Sequence, residues 1–323
     1  MKIKNLNRRK KQIKSQKKKK FTGKKIKNRK NKKQKNNVTK RVIAKHCSPS
    51  PTKEQKISCL NKKSLIKISN SWNKNNPSNT IKINETDSIR NLWNKINNKL
   101  KNKCQSEWCW IQQEFIKNMN DKEIIESFRP KMPRKWLENK NEWLSTTDIE
   151  NVMKQYEKIH RNFLFIGPVP IDFDSKDNFG SCIVNELCKL DINNLIQKKI
   201  NKIGIIFNLD KHDQSGSHWV ALFIDLENNN IYYFDSYGEP APEEVNILSQ
   251  RLIEQGKKYN RNIVYTQNKV RHQYENSECG VYCIHFVVKL LKGHSFKDIT
   301  ENKINDADMN KNRWFFYSPS KPI

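Results

Sequence analysis

The sequence predicts an α+β fold. Residues 219 to 226 are almost continuously apolar and residues 231 to 235 are β-prone, with an Asn-rich turn between them, which is typical of a β-hairpin. A longer apolar run starts at Cys279 and stops at Gly293, with a lysine in its last turn, which predicts a buried helix. The chain thus combines strands with helices, and it contains no internal repeat.

Further elements are predicted on both sides of these two. Leu92, Ile96 and Leu100 recur at helical spacing, which predicts a small helical region over residues 86 to 128. The segment Arg-Pro-Lys-Met-Pro that begins at Arg129 marks a turn, and the main domain is expected to span residues 129 to 323. Within that domain, helices are predicted at residues 143 to 159 and 182 to 190, and strands at residues 203 to 208 and 263 to 266.

Positive charge is concentrated at the N-terminus. The chain of 323 residues has a formal net charge of +30, and residues 1 to 53 contain 23 Lys or Arg but no Asp or Glu. Because the apolar period that would bury a helix face is missing there, we expect a disordered basic tail over residues 1 to 53. Residues 54 to 85 are rich in Asn, Ser and Lys and are predicted to be a polar linker.

This tail suggests a polyanionic partner. Cations at such density bind DNA or RNA through counterion release, whatever the nucleic-acid sequence. Nuclear targeting is an alternative use of the same residues. An amphipathic membrane helix is disfavoured because the tail has few large apolar residues.

Eight cysteines raise the question of metal sites and disulfides. The pairs Cys104 with Cys109 and Cys182 with Cys188 are not at CxxC spacing and have no histidine partners, so we expect neither a metal nor another cofactor. The sequence has no signal-peptide pattern and no apolar run near eighteen residues, so secretion and a membrane span are not expected. Reduced thiols in a cytosolic setting are therefore predicted.

Four polar residues supply the parts of a thiol hydrolase. They are a candidate base, His218; a residue to orient it, Asp235; an oxyanion donor, Gln273; and a nucleophile, Cys279. A thiolate attacks carbonyls, so Cys279 needs an imidazole or a helix N-terminus beside it, and its position at the start of the predicted helix provides the latter. Backbone N–H groups there and the Gln273 amide can receive the oxyanion of the tetrahedral intermediate.

The predicted hairpin places the base and its orienting residue near its open end, but not in contact. If Leu226 pairs with Ile231, Asp235 lies opposite Leu222, and His218 is roughly 13 Å further along the strand. A direct hydrogen bond from His218 to Asp235 therefore requires a bulge, a strong twist or a shifted register.

The other cysteines and histidines have simpler interpretations. Cys283 lies inside an apolar helix and is expected to fill the core. His285, on the same helix, is expected to be a core or surface histidine. His212 and His272 are expected to lie in loops.

The order and spacing of these motifs resemble the superfamily of ubiquitin-like-protein proteases and adenovirus-type proteases. His218-Trp219 is followed by Asp235 seventeen positions later, and Gln273 precedes Cys279-Gly280 by six. Residues 143 to 149, Trp-Leu-Ser-Thr-Thr-Asp-Ile, resemble the entry helix of these peptidases. Within the superfamily, the likeness is closest to the virion-maturation thiol proteases of large cytoplasmic DNA viruses, of the African swine fever virus type. Residues 166 to 173, 207 to 210 and 216 to 220 carry this narrower match, and the resemblance covers about residues 90 to 323.

The resemblance implies a papain-like cysteine protease fold, a mixed sheet flanked by helices, with the catalytic order permuted. It implies that four residues are catalytic: His218, Asp235, Gln273 and Cys279. At the position of Asp235, the family varies among Asp, Glu and Asn. It also implies cleavage of viral structural polyproteins after Gly-Gly-like sites, in the virion and in the cytoplasm of the host. Two alternatives stay open: a protease of SUMO- or ubiquitin-like modifiers, and a nucleic-acid-binding core protein whose protease-like domain is inactive.

Overall fold

The computed structural model describes residues 46–50 and 57–319, which belong to one compact unit spanning residues 40–323. The predicted basic tail lies almost wholly outside the described residues. The strands are β1 (Phe163–Pro170), β2 (Lys202–Asn208), β3 (Trp219–Asp225), β4 (Asn230–Phe234) and β5 (Val264–Gln267). The helices are α1 (Lys62–Asn75), α2 (Ile89–Leu100), α3 (Glu107–Trp110), α4 (Glu114–Lys117), α5 (Lys122–Glu126), α6 (Lys135–Glu138), α7 (Thr146–Ile159), α8 (Asn185–Cys188), α9 (Ile192–Gln197), α10 (Glu243–Lys257), α11 (Cys279–Leu291), α12 (Phe296–Glu301), α13 (Asp306–Lys311) and α14 (Arg313–Phe316).

The strands form one mixed sheet in the order β1-β2-β3-β4-β5. The β1–β2 and β4–β5 pairs are parallel, whereas β2–β3 and β3–β4 are antiparallel. Helices α7 and α11 cover one face of the sheet, and α9 and α10 cover the other. The prediction of an α+β fold with a mixed sheet flanked by helices is confirmed.

Alternate residues of the central strands face two separate apolar layers. On β3, Ala221 and Phe223 pack with α7 and α11, while Val220 and Leu222 pack with α10. All seven residues of β3 are buried, because the strand is covered on both faces. This explains why its sequence is a continuous apolar run and not an alternating one.

Strand β1 was not expected from the sequence. It contains Gly167 and Pro168, which normally argue against a strand. The strand tolerates them because it lies at the edge of the sheet, where its pairing with β2 shifts register between Ile166 and Val169.

The prediction of a polar linker over residues 54 to 85 is wrong where helix α1 forms. Asn61 caps this helix by accepting a hydrogen bond from the Ser64 N–H at 2.8 Å. Leu65, Ile68 and Trp72 are buried in one core with α2. Their spacing of three and four residues is helical, but the surrounding Lys, Asn and Ser residues dominate the composition and concealed it. The helical region therefore begins before residue 86.

The expectation of reduced thiols is also wrong for six of the eight cysteines. The structure contains the disulfides Cys47–Cys59, Cys104–Cys109 and Cys182–Cys188, and Cys279 and Cys283 are free. The spacing of the cysteines along the chain does not reveal these pairs, because the separation of two thiols is set by how the intervening loop folds.

Candidate active site

The register of the β3–β4 hairpin decides where the candidate base meets its partner. Ile224 pairs with Ile231, which moves β4 two residues from the register that the sequence suggested. Continued past the strand ends, this pairing sets Asp235 opposite Val220 and diagonal to His218. Diagonal neighbours on one face are about 7–8 Å apart, within reach of an imidazole and a carboxylate.

The side chain of Asp225 sets this register at the other end of the hairpin. Its Oδ1 atom accepts hydrogen bonds from the N–H groups of Glu227 and Asn228, at 3.0 and 3.1 Å. Asn229 then takes a left-handed conformation with φ of 54°. The turn therefore spans residues 226–229 between the paired Asp225 and Asn230, one residue earlier in the chain than the Leu226–Ile231 pairing would place it.

The His218 and Asp235 side chains form a buried hydrogen bond. Nε2 of His218 lies 2.7 Å from Oδ1 of Asp235. The same oxygen accepts the N–H of Tyr237 at 2.9 Å, and the Tyr237 ring stacks on the imidazole with centroids 4.5 Å apart. Of the three routes left open by the sequence, a shifted register is the one that the structure uses.

Asn268 fixes the backbone of Asp235, a role that the sequence did not predict. Its Oδ1 atom accepts the Asp235 N–H at 2.8 Å, and its Nδ2 group donates to the Asp235 carbonyl at 2.7 Å. Asn268 is itself buried, so both bonds are shielded from water. An isolated Asn after a strand carries no sequence signal for such a role.

Cys279 is the first residue of α11, as predicted, and is only 1% exposed. Its thiol is a hydrogen-bond partner of the His218 imidazole. Since Nε2 of His218 faces Asp235, Nδ1 is the nitrogen left for the sulfur. The three side chains therefore form the line Asp235, His218, Cys279.

The protonated form of His218 is favoured in this line. Burial alone would lower the pKa of the imidazole, but hydrogen bonds to Asp235 and Cys279, and the negative charges of both, raise it to about 9. At neutral pH the proton therefore stays on the imidazole, which is the state needed beside a thiolate.

Gln273 is fully buried, and its side-chain amide has a fixed orientation. The Ser236 hydroxyl donates to its Oε1 atom at 2.6 Å, and its Nε2 group donates to the Glu275 carbonyl at 2.7 Å. An amide nitrogen carries two hydrogens, so one is left to donate elsewhere. Ser236, next to Asp235 in the chain, is thus a positioning residue that the sequence did not reveal.

The turn before Cys279 is fixed by hydrogen bonds to the carbonyl, the N–H and the hydroxyl of Ser277. Arg313 donates from Nη2 to the Ser277 carbonyl at 3.1 Å, and the Glu278 carboxylate accepts the Ser277 N–H at 3.1 Å and its hydroxyl at 2.6 Å. Arg313 and Glu278 are both buried. This fixes the backbone that presents the Cys279 amide.

Comparisons with known proteins place these residues in a family. A family model described as the Ulp1 protease family, C-terminal catalytic domain, matches residues 175–318, which include all four candidate residues. A protein of Acanthamoeba polyphaga mimivirus named thiol protease R355 is 33% identical over 295 residues, covering 85% of this chain and 94% of that protein. The chain belongs to the Ulp1 family of thiol proteases. The suspected resemblance is confirmed, and the chain is a cysteine protease.

African swine fever virus supplies two further matches to this Ulp1-family protease. A protein of that virus named as a SUMO-1 cysteine protease is 30% identical over 122 residues, or 37% of this chain and 45% of that protein. The crystal structure of the protease from African swine fever virus superimposes with a TM-score of 0.62 at 22% identity, covering 85% of this chain and 96% of the other. This agreement shows a shared fold.

Close packing surrounds the nucleophile of the Ulp1-family protease. A Cβ atom added to Gly280 would lie 3.0 Å from Leu144 Cβ and 3.3 Å from Trp219 Cδ1. Trp219 is fixed there by a hydrogen bond from its Nε1 to the Leu144 carbonyl at 3.0 Å. A side chain directly after Cys279 would therefore force Leu144 or Trp219 to move by a few tenths of an ångström.

Three other histidines of the protease lie in different surroundings. His212 pairs with Asp172 at 2.7 Å, and this hydrogen bond raises the pKa of its imidazole, but the side chain is half exposed. Burial lowers the pKa of His285 to about 4 and also lowers that of His272, whose Nε2 contacts the Thr300 carbonyl.

The second free cysteine is a core residue. The Cys283 thiol is fully buried and donates to the Trp219 carbonyl at 3.2 Å. Burial is the main cause that raises the pKa of this thiol well above its usual value. Cys283 is therefore a poor nucleophile.

Within the part of the chain that the structure describes, no cluster of three or more His, Cys, Asp or Glu residues is arranged to hold a metal ion. None of the helices described there combines the length and apolar character needed to cross a membrane.

We expect Gln273→Ala to lower kcat roughly 10²- to 10³-fold with little change in KM, because an oxyanion donor acts on charge that develops in the transition state. Ser236→Ala should lower kcat by about 10-fold, since it removes one orienting hydrogen bond worth about 1.5 kcal/mol at most. Peptide kinetics and melting temperature on the same preparations check this.

Alkylation of Cys279 by iodoacetamide is the control, because the transition state of this alkylation contains no oxyanion. If Gln273→Ala slows alkylation and cleavage equally, or lowers only the melting temperature, the glutamine has a structural role.

Proposed function

We propose that this thiol protease is an endopeptidase that cleaves viral structural polyproteins after Gly-Gly-like sites during virion maturation. The observation that carries its chemistry is the buried line from Asp235 through His218 to Cys279. Its viral setting is supported by the relatives from mimivirus and African swine fever virus.

In the proposed reaction the Cys279 thiolate attacks the carbonyl carbon of the scissile peptide bond. The His218 imidazolium gives its proton to the leaving amine, and a thioester to Cys279 remains. Water then attacks the thioester carbonyl, His218 takes a proton from that water, and the acid product leaves with Cys279 restored as the thiolate. Asp235 keeps the imidazole oriented and stabilises its charged form throughout.

The oxyanion formed in each step would be bound by two donors. The first is the backbone N–H of Cys279, which lies in the first turn of α11 and has no partner within the helix. The second is the remaining N–H of the Gln273 amide. Both groups are fixed before substrate arrives, by the Ser277 turn and by Ser236, so little reorganisation is needed.

The preference for small residues before the cut rests on the crowded surroundings of the nucleophile. Trp219 and Leu144 close in on Gly280 next to Cys279, and Trp143, which precedes Leu144, is a large exposed aromatic residue. A substrate backbone that reaches the sulfur beside these groups is expected to carry small side chains there. Gly-Gly meets this requirement.

Two alternatives differ in their experimental consequences. A protease of SUMO- or ubiquitin-like modifiers would use the same chemistry, and the African swine fever virus relative bears the name of a SUMO-1 protease. An inactive, nucleic-acid-binding core protein is disfavoured by the intact hydrogen-bonded line at Cys279.

The deciding experiment compares Gly-Gly-x peptides with a SUMO fusion as substrates. We expect cleavage of the peptides and of viral structural polyproteins, and no cleavage when the second Gly is replaced by a bulky residue. Cys279→Ala should abolish both cleavage and alkylation, whereas Cys283→Ala should leave both largely intact. Full activity of Cys279→Ala refutes the mechanism, and a strong preference for the SUMO fusion refutes the maturation role.

We also propose that residues 1–53 hold the enzyme on nucleic acid or another polyanion in the virion and the host cytoplasm. The 23 basic residues without a single acid support this. Removing residues 1–45 should leave peptide turnover nearly unchanged and weaken DNA binding. It should also flatten the slope of log K against log salt by about 0.9 for each phosphate that the shortened protein no longer neutralises. An unchanged slope would assign DNA binding to another part of the protein.

A further inference from the structure

A stack of aromatic and cationic side chains leads from the candidate active site to the surface. The His218 ring stacks on Tyr237, with centroids 4.5 Å apart and planes 14° apart. The Arg271 guanidinium carbon lies 5.2 Å from the centre of the Tyr237 ring and 4.8 Å from that of Tyr274. Lys303 Nζ is 5.8 Å from the Tyr274 ring. We call these five residues the aromatic–cation stack.

Arg271 is held in place within this stack although its side chain is exposed. Its guanidinium is restricted by two tyrosine rings, and its Nε donates to the Gln273 carbonyl at 2.7 Å. A guanidinium has five donor hydrogens in a planar fork, so its outer Nη groups stay available. A fork held in advance loses less side-chain entropy when it binds a carboxylate.

No carboxylate among residues 46–50 and 57–319 forms an ion pair with Arg271. The nearby Asp306 is engaged elsewhere. Its Oδ2 atom accepts the N–H groups of Tyr274 and Glu275 at 2.8 and 3.1 Å, and its Oδ1 atom accepts the Tyr282 hydroxyl at 3.1 Å. The charge of Arg271 is therefore not neutralised by a direct ion pair within the described fold.

The stack lies close to where substrate must pass. The two steps from the imidazole to Arg271, 4.5 and 5.2 Å, together are shorter than three residues of extended peptide, which span about 10 Å. Arg271 also bonds directly to Gln273, the proposed oxyanion donor. A substrate bound at Cys279 thus brings side chains within reach of the guanidinium.

We propose that Arg271 is a specificity-determining residue that binds the carboxylate of an Asp or Glu side chain lying within about three residues of the scissile bond. The carboxylate accepts two hydrogen bonds from the outer Nη groups of the guanidinium. Lys303, which lies beside the Tyr274 ring at the outer end of the aromatic–cation stack, adds positive charge there. This deepens the proposed function and rests on it, because it assumes that Cys279 cleaves a peptide chain.

The test is a set of Gly-Gly-x peptides in which Asp, Asn or Lys replaces each flanking residue in turn. At one position, we expect kcat/KM to be about 3- to 10-fold higher for Asp than for Asn at low salt, as for a partly exposed charged hydrogen bond. In Arg271→Glu the same position should favour Lys over Asp. In Arg271→Lys the preference for Asp should persist, because the charge is retained.

Each preference is the ratio of kcat/KM values for two peptides measured with the same enzyme variant. If a substitution at Arg271 disturbs Gln273 through their hydrogen bond, kcat/KM falls for both peptides alike and the ratio is unchanged. Arg161→Glu is the matched control, because Arg161 is an exposed arginine just before β1, at the opposite end of the sheet from His218. It should keep the wild-type preference.

Several outcomes would overturn the inference. Cleavage by the wild-type protein without any preference for Asp, or an unchanged preference in Arg271→Glu, refutes it alone. If Arg271→Glu loses DNA binding and keeps its peptide preferences, the stack binds phosphate and not a substrate carboxylate. If the wild-type protein cleaves none of the peptides, the proposed function fails and the inference fails with it.

Discussion

The hydrogen bond between His218 and Asp235 is the interaction on which the rest of the site depends. Whether it can form is determined at the opposite end of the β3–β4 hairpin from the reacting residues. The side chain of Asp225 shapes the turn of the β3–β4 hairpin, and the turn sets which residues pair along both strands. A pairing moved by two residues would separate the imidazole from the carboxylate by roughly another 7 Å. A buried acid at the closed end of the hairpin thereby places the base at its open end.

The second half of the site comes from a different part of the fold. Helix α11 is buried along nearly its whole length between β3 and α7, so its first residue has little freedom to move. Gly280 lets Leu144 and Trp219 approach the start of this helix closely. The hairpin and the helix are packed together in one apolar layer, which brings the His218 imidazole to the Cys279 thiol.

Buried polar residues connect the two halves. Asn268 and Ser236 secure the Asp235 backbone and the Gln273 amide, and Arg313 and Glu278 secure the turn before the nucleophile. Polar groups are costly to bury unless they find partners, and here the hydrogen bonds that compensate for their burial also align the reacting atoms. Arg313 is satisfied only in part, because its Nη2 donates to the Ser277 carbonyl while its buried Nε and Nη1 have no hydrogen-bond partner among the described residues. We infer that the site is largely formed before substrate binds.

The sequence predicted the elements better than their relative placement. The hairpin, the Cys279 helix and the order of the four candidate residues follow from apolar runs and motif spacing. The register did not, because it depends on one turn. The Gly-Pro pair in strand β1 argues against a strand, and the polar residues around helix α1 conceal its helical spacing. The disulfides could not be predicted because the spacing of cysteines in the sequence does not show how the loops between them fold. Asn268, Ser236 and Arg313 are single polar residues, and no periodicity marks them.

The central claim is that the His218 imidazole, held between Asp235 and Cys279, is protonated at neutral pH. It is tested most directly by an NMR titration of the His218 ring, compared between the wild-type protein and Cys279→Ala. We predict a pKa of about 9 in the wild-type protein and a lower pKa in Cys279→Ala, because the variant lacks the hydrogen bond and the charge of the sulfur. The stabilisation from this raised pKa would be fully present below the ordinary value of 6.5 and would disappear as pH rises through about 9. A wild-type midpoint near 6.5, or one that does not change in Cys279→Ala, would contradict the account.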